Sequence, residues 1–87
     1  MGNYNVVFTK SAFKEIVRLD SNVYRERILQ RIQELSANPR PSGSKKLQGF
    51  RDRYRLRQGD FRILYEIQDR ILVVTVIQVG NRKEVYR

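Results

Sequence analysis

Cysteine and histidine are both absent from this chain of 87 residues. Without thiols there is no disulfide, no thiol nucleophile and no cysteine-based zinc site. That fits a reducing compartment. Without imidazole there is no Ser-His-Asp triad, no histidine general base and no histidine metal ligand. Acidic residues are few: the 9 Asp and Glu are scattered. The strand-rich second half offers no close acidic pair beyond turn-like Asp60 and Asp69, so a two-metal nuclease centre has no support. No apolar run approaches the roughly 20 residues that span a bilayer. The start, Met1-Gly2-Asn3-Tyr4-Asn5-Val6, lacks an apolar signal core, and Val6 stands where a myristoylation motif requires Ser or Thr. P-loop and dinucleotide fingerprints are missing, and Gly59 and Gly80 read as turn or strand-end glycines. No linker is evident, so a single domain spanning 1–87, of marginal stability and cytoplasmic, is expected.

Positive charge is what the chain has in excess. Lys and Arg total 18, for a net charge of +9. The surplus is uneven: residues 1–44 hold seven basic and four acidic side chains, residues 45–87 eleven and five. A field of that sign attracts polyanions, chiefly nucleic acid. Binding to a membrane surface is disfavoured, because no helix pairs a basic face with a Trp/Phe-rich one.

The hydrophobic pattern changes period along the chain. Tyr4–Phe8 reads as a short strand. Thr9 can cap a helix to about Leu19, with Ala12, Phe13, Ile16 and Leu19 as its apolar stripe. Asp20 or Ser21 can cap a second helix to about Ala37, whose apolar positions are Tyr24, Ile28, Ile32 and Leu35. Asn38-Pro39 ends it. Asn38–Lys46 reads as a loop. Tyr54–Gln58, Phe61–Gln68 and Ile71–Val79 then read as strands joined by two-residue turns at Gly59-Asp60 and Asp69-Arg70. The expected fold is α+β, in the order β-α-α-β-β-β: a small, mainly antiparallel sheet with an N-terminal helical hairpin on one face.

Strand alternation assigns faces. A turn at Gly59-Asp60 sets Gln58 opposite Phe61, Arg57 opposite Arg62, Leu56 opposite Ile63 and Arg55 opposite Leu64. Leu56, Ile63, Tyr65, Leu72, Val74 and Val76 then share the helix-covered face. Arg53, Arg55, Arg57 and Arg62 fall on the other, open face. Like charges directly opposite each other are mildly destabilising. Either both heads splay into water or a phosphate occupies the gap, held by two guanidinium forks. The second reading is favoured, because the tail after Gly80 leaves near the Gly59 turn and brings Arg82 and Tyr86 toward the same surface.

These residues suit metal-free cleavage of RNA. The 2′-hydroxyl is a built-in nucleophile, and arginines stabilise the phosphorane charge. Arginine is a poor base, with a pKa above 12. Tyr86 is the candidate for proton transfer, since neighbouring cations favour its phenolate. Base stacking or plain packing are its alternative roles.

The string Tyr54-Arg55-Leu56-Arg57-Gln58-Gly59-Asp60-Phe61-Arg62-Ile63-Leu64-Tyr65, followed by Val79-Gly80-Asn81-Arg82-Lys83-Glu84-Val85-Tyr86, closely resembles the RelE/ParE toxin superfamily. The upstream strand, helical hairpin, Asn38-Pro39 and Lys46-Leu47-Gln48-Gly49 fit as well, so the resemblance covers essentially the whole chain. It implies a RelE-like fold and a type II toxin that cleaves mRNA in the ribosomal A site. It also implies neutralisation by a cognate acidic antitoxin, through which the complex binds operator DNA. Arg57, Arg62, Arg82 and Tyr86 take the catalytic positions. Arg55, Arg53, Lys45, Lys46 and Lys83 are the RNA-binding candidates, and no metal or cofactor is expected. Well-known members carry lysines at the positions of Arg55 and Arg57. Because arginine does not easily act as a base, the resemblance shifts that role here toward Tyr86 or water.

The alternative is a ParE-like inhibitor of DNA gyrase with no nuclease activity, which needs no Arg62/Arg82/Tyr86 set. A non-enzymatic RNA-binding module would require exposed aromatics on the sheet face, whereas Phe61 and Tyr65 fall on the core face. An acidic, partly disordered antitoxin segment is expected to lay an amphipathic helix on the toxin, neutralising the arginine face or displacing the tail. Binding of that kind is salt-sensitive.

Overall fold

The structure is a computed structural model, and residues 3–81 are described here. The order is β1 (Asn5–Phe8), α1 (Lys10–Val17), α2 (Asn22–Ala37), β2 (Lys45–Lys46), β3 (Arg53–Gln58), β4 (Phe61–Gln68) and β5 (Val73–Asn81). The strands form one sheet in the order β1-β5-β4-β3-β2. β1 runs parallel to β5, and the other neighbours are antiparallel. The α+β class and the helical hairpin agree with the sequence reading. Among the described residues, no helix is long and apolar enough to cross a membrane.

Local chemistry explains the helices. The Thr9 hydroxyl oxygen accepts the Ala12 amide at 3.1 Å, and the Ser21 hydroxyl oxygen accepts that of Tyr24 at 3.3 Å. Each such cap contributes on the order of 1 kcal/mol. Arg25 closes the hairpin from α2: its guanidinium donates to the Ile16 and Leu19 carbonyls at the end of α1 and to Asn22 Oδ1. Ala12, Ile16, Ile28, Ile32 and Leu35 face the sheet and are buried against Leu56, Ile63, Tyr65, Ile67, Val74, Val76 and Val79. Two stripe positions behave otherwise. Phe13 is 59% exposed. Tyr24 is exposed too, yet its ring lies 5.8 Å from that of Phe61.

Three expectations about the strands need correction. Lys45-Lys46 is not loop: it pairs antiparallel with Arg55 and Tyr54, giving a fifth strand too short to show an alternating pattern. The connection after β4 spans four residues rather than two, because Gln68 pairs with Val73. Leu72, expected in the core, sits in that connection at φ 54 and is exposed. β5 therefore starts at Val73, not Ile71.

β5 also carries a bulge. Tyr65 pairs with Val76, but Leu64 pairs with Gln78, leaving Ile77 as the extra residue. Inward positions on β5 are thus Val74, Val76 and then Val79. The helices meet this irregularity. Thr9 Oγ1 donates to the Ile77 carbonyl at 2.8 Å, the Thr9 amide donates to the Val76 carbonyl at 3.0 Å, and Glu15 Oε1 accepts the Val79 amide at 2.9 Å.

Candidate active site on the arginine face of the sheet

The turn at Gly59, in the left-handed region at φ 60, closes the β3–β4 hairpin in the register expected from the sequence. Arg57 stands directly opposite Arg62, and Arg55 opposite Leu64. Opposite residues have β-carbons about 5 Å apart, so the two guanidinium groups rise from neighbouring points on one face. On the other side of β4, Gly80 stands opposite Arg62. Gly80 contributes no side chain to that flank of Arg62 and is itself buried. Lys45 pairs with Arg55 and extends the basic row toward the β2 edge. Lys45, Arg55, Arg57 and Arg62 thus occupy one continuous patch of the face.

Arg62 differs from the expectation of an open arginine. It is only 7% exposed, whereas Arg57 on the adjacent strand is exposed. β4 is the central strand, with β3 and β5 on its two sides, so Arg62 rises from the middle of the sheet rather than from an edge. An arginine whose stem is fixed by neighbours loses little further freedom on gripping an anion.

Arg53 has a different setting. It lies at the far end of β3, opposite Glu66, with its Nε 3.8 Å from that carboxylate and its guanidinium 4.5 Å from the Phe50 ring centre. Lys46 pairs with Tyr54 and by alternation falls on the face opposite Lys45. Neither is brought to the Arg57–Arg62 pair. Arg82, Lys83 and Tyr86 lie outside the described residues. β5 is described as far as Asn81, which pairs with Phe61 beside the Gly59 turn.

A second polar cluster, with no signal in the spacing of its members, sits at the opposite end of the sheet. Arg40 grips Asp69 through two hydrogen bonds of 2.8 and 3.3 Å and donates through Nε to the Tyr54 hydroxyl at 3.0 Å. The Tyr4 hydroxyl donates to the same carboxylate at 2.6 Å. Hydrogen bonds from Arg40 and then Tyr4 hold the Asp69 carboxyl below its ordinary value, and the bond to Asp69 pushes the Tyr4 phenol and the Arg40 guanidinium up. Tyr54 stacks on buried Tyr65, whose phenol burial pushes up and whose hydroxyl donates to the Pro39 carbonyl at 2.8 Å. The cluster fastens the 38–44 segment, and so the start of β2, to the sheet. Among the described residues, no group of three His, Cys, Asp or Glu stands close enough to hold a metal ion.

A five-stranded sheet with a helical hairpin on one face and clustered arginines on the other defines a small α+β domain with a basic face suited to a polyanion. A family model for the ParE toxin of type II toxin–antitoxin systems matches residues 6–86. The mRNA interferase toxin RelE of Escherichia coli K12 is 38% identical over 87 residues, covering 95% of this chain and 90% of that protein. Among solved structures, the archaeal RelE–RelB complex from Pyrococcus horikoshii OT3 gives a TM-score of 0.81 at 27% identity, covering 92% of this chain and 96% of that one. The isolated E. coli RelE toxin gives 0.78 at 36% identity, covering 95% and 90%. The chain belongs to the RelE/ParE family of type II toxins.

Proposed function

We propose that this chain is a metal-independent endoribonuclease toxin that cuts mRNA in the ribosomal A site and is silenced by a cognate antitoxin. The observation that carries the reading is the directly opposed Arg57–Arg62 pair, with Gly80 flanking Arg62 on the other side. Relatives support it: two proteins at 38% identity are mRNA interferases of the RelE type, and several neighbouring structures are complexes of RelE with RelB.

In this reading the scissile phosphate sits over the Arg57–Arg62 gap. The ribose 2′-hydroxyl adjacent to it attacks phosphorus, the 5′-oxygen of the next nucleotide leaves as a hydroxyl after taking a proton from water, and a 2′,3′-cyclic phosphate remains. The phosphorane gathers negative charge on its non-bridging oxygens, where the two guanidinium forks donate. Arg62, held by its neighbours, supplies the pre-organised donor, and exposed Arg57 closes from the β3 side. Arg82 adds a third cation, and Tyr86 takes the 2′-hydroxyl proton as phenolate. Arg55 and Lys45 hold the flanking phosphate backbone, with Arg53, Lys46 and Lys83 contributing longer-range attraction to the polyanion. An acidic antitoxin then inhibits by covering the cationic face, and the complex reaches operator DNA through the antitoxin. The site of action is the cytoplasm, where translating ribosomes are found.

The test is translation in a purified system followed by primer extension on the message. New 5′ ends within codons are expected, and they should vanish with Arg82→Ala and with Tyr86→Phe. The match to the ParE family model favours a second reading, inhibition of DNA gyrase. Intact message together with gyrase-dependent DNA breaks would establish that reading and overturn the first. Cleavage at the wild-type rate by Tyr86→Phe would remove the proton-transfer role alone.

A further inference from the structure

We infer that Glu15 of α1, together with Thr9, is a positioning residue for the arginine site, fixing the register of β5 where it passes Arg62. The inference rests on the RNase reading for its consequence, and on hydrogen bonds for its geometry.

β1 stops pairing with β5 at Phe8–Val76, so among the described residues the outer edge of β5 beyond Val76 has no strand neighbour. Three bonds from the Thr9–Glu15 segment take over there. The Thr9 amide reaches the Val76 carbonyl, the Thr9 hydroxyl reaches the Ile77 carbonyl, and the Glu15 carboxylate accepts the Val79 amide. Two of the three fall within the bulge or just beyond it. A carboxylate accepting a backbone amide is among the stronger hydrogen bonds available to a protein.

The bulge decides which residue lies beside Arg62. With Ile77 as the extra residue, Val79 points into the core and Gly80 stands opposite Arg62. A straight ladder continued from the Tyr65–Val76 pair would instead set Val79 opposite Arg62, on the arginine face, and turn Gln78 inward. A one-residue slip exchanges the two faces of a strand. Core packing of Val79 disfavours the slip, and the Glu15 bond to the amide of that same residue locks it. Bulges recur beside active sites because they re-aim side chains. The sequence carried a signal here: Glu15 stands three residues after Ala12 and four before Leu19, so a carboxylate interrupts the buried stripe of α1.

The experiment compares wild type, Glu15→Ala and Glu15→Gln, since Gln keeps an acceptor oxygen at the same reach. Amide hydrogen exchange at Val79 and single-turnover cleavage on mRNA-programmed ribosomes are measured well below the unfolding temperature. Glu15→Ala is expected to speed Val79 exchange and to lower kcat roughly 10- to 100-fold with KM unchanged, because a small misplacement of a catalytic group costs that much. Glu15→Gln is expected to restore both. Should Glu15→Ala fail to fold, Glu15→Asp, one carbon too short to reach, provides the same comparison. Wild-type kcat in Glu15→Ala or Glu15→Asp, or equal losses in Glu15→Gln and Glu15→Ala, would overturn the inference. Absence of cleavage by the wild type would instead strike the RNase reading. In that case unchanged Val79 exchange in Glu15→Ala still overturns the register role, and faster exchange upholds it.

Discussion

The β3–β4 ladder treats arginine in opposite ways at its two ends. Near Asp69, two arginines each meet an acid and a ring: Arg53 faces Glu66 and lies over Phe50, and Arg40 grips Asp69 and lies over Tyr54. Four residues along β3, the same ladder places arginine opposite arginine. Charge at the first end is tied into ion pairs and ring contacts, whereas at the second two cations of the ladder stand directly opposite each other. Like charges directly opposite cost a few tenths of a kcal/mol to about 1 kcal/mol. On the RNase reading, that pair is the seat of the scissile phosphate.

Substitutions at the two ends should therefore separate activity from stability. The largest effect is expected at Arg62. Arg62→Ala should lower the cleavage rate about 100- to 1,000-fold, the usual consequence of losing one pre-organised donor to a developing oxyanion. Arg62→Lys, which keeps the charge but not the fork, should fall between it and the wild type. Arg53→Ala at the other end should leave kcat within a few-fold of wild type, and equal losses at both ends would erase the contrast. The effect on stability should be small at Arg57. Arg57→Glu sets an opposite charge across from Arg62, so cleavage should collapse while denaturant unfolding shifts by no more than about 1 kcal/mol. A variant that lost both stability and cleavage would indicate that Arg57 serves the fold.

The arginine pairing was legible because it rests on strong local signals. Gly59-Asp60 fixes the turn, strand alternation fixes the faces, and together they set Arg57 against Arg62 before any coordinates. Thr9 and Ser21 likewise announce the helices. What escaped depends on contacts distant in sequence. The Lys45-Lys46 strand has two residues and exists only because β3 offers an edge. The burial of Arg62 is a tertiary property that alternation does not supply. The β5 bulge is invisible to a period-2 reading, because Val74, Val76 and Val79 look like a broken alternation until Leu64 is seen to pair with Gln78. Arg40 and Asp69 are 29 residues apart, with no spacing rule linking them. Phe13 misled in the other direction: the helical stripe includes it, but of α1 only Ala12 and Ile16 are buried, and the ring stays outside.

The smallest effect sharpens the comparison through pH. Asp69 has its carboxyl lowered by the Arg40 and Tyr4 hydrogen bonds, so its charged form is favoured in the folded state. A lowered folded value contributes stability that is present above the unfolded value, here 3.8, and is lost as pH falls through the folded value. Tyr4 and Tyr65 are shifted the other way, so their contribution is present below the ordinary phenol value of 10.0 and is lost on the alkaline side. The clamp end is thus expected to be most stable between those two limits. Thermal unfolding followed by circular dichroism should show wild type and Asp69→Asn running parallel near neutral pH, with wild type the more stable. Their Tm values should converge below pH 3.8, where the wild-type carboxylate takes up its proton. Cleavage at neutral pH should be nearly the same in both, since Asp69 touches the 38–44 segment and Tyr4 rather than the Arg57–Arg62 pair. Curves that stay parallel to the acid limit would show that the Asp69 cluster contributes nothing through its charge, and the division of labour between the two ends would fall with it.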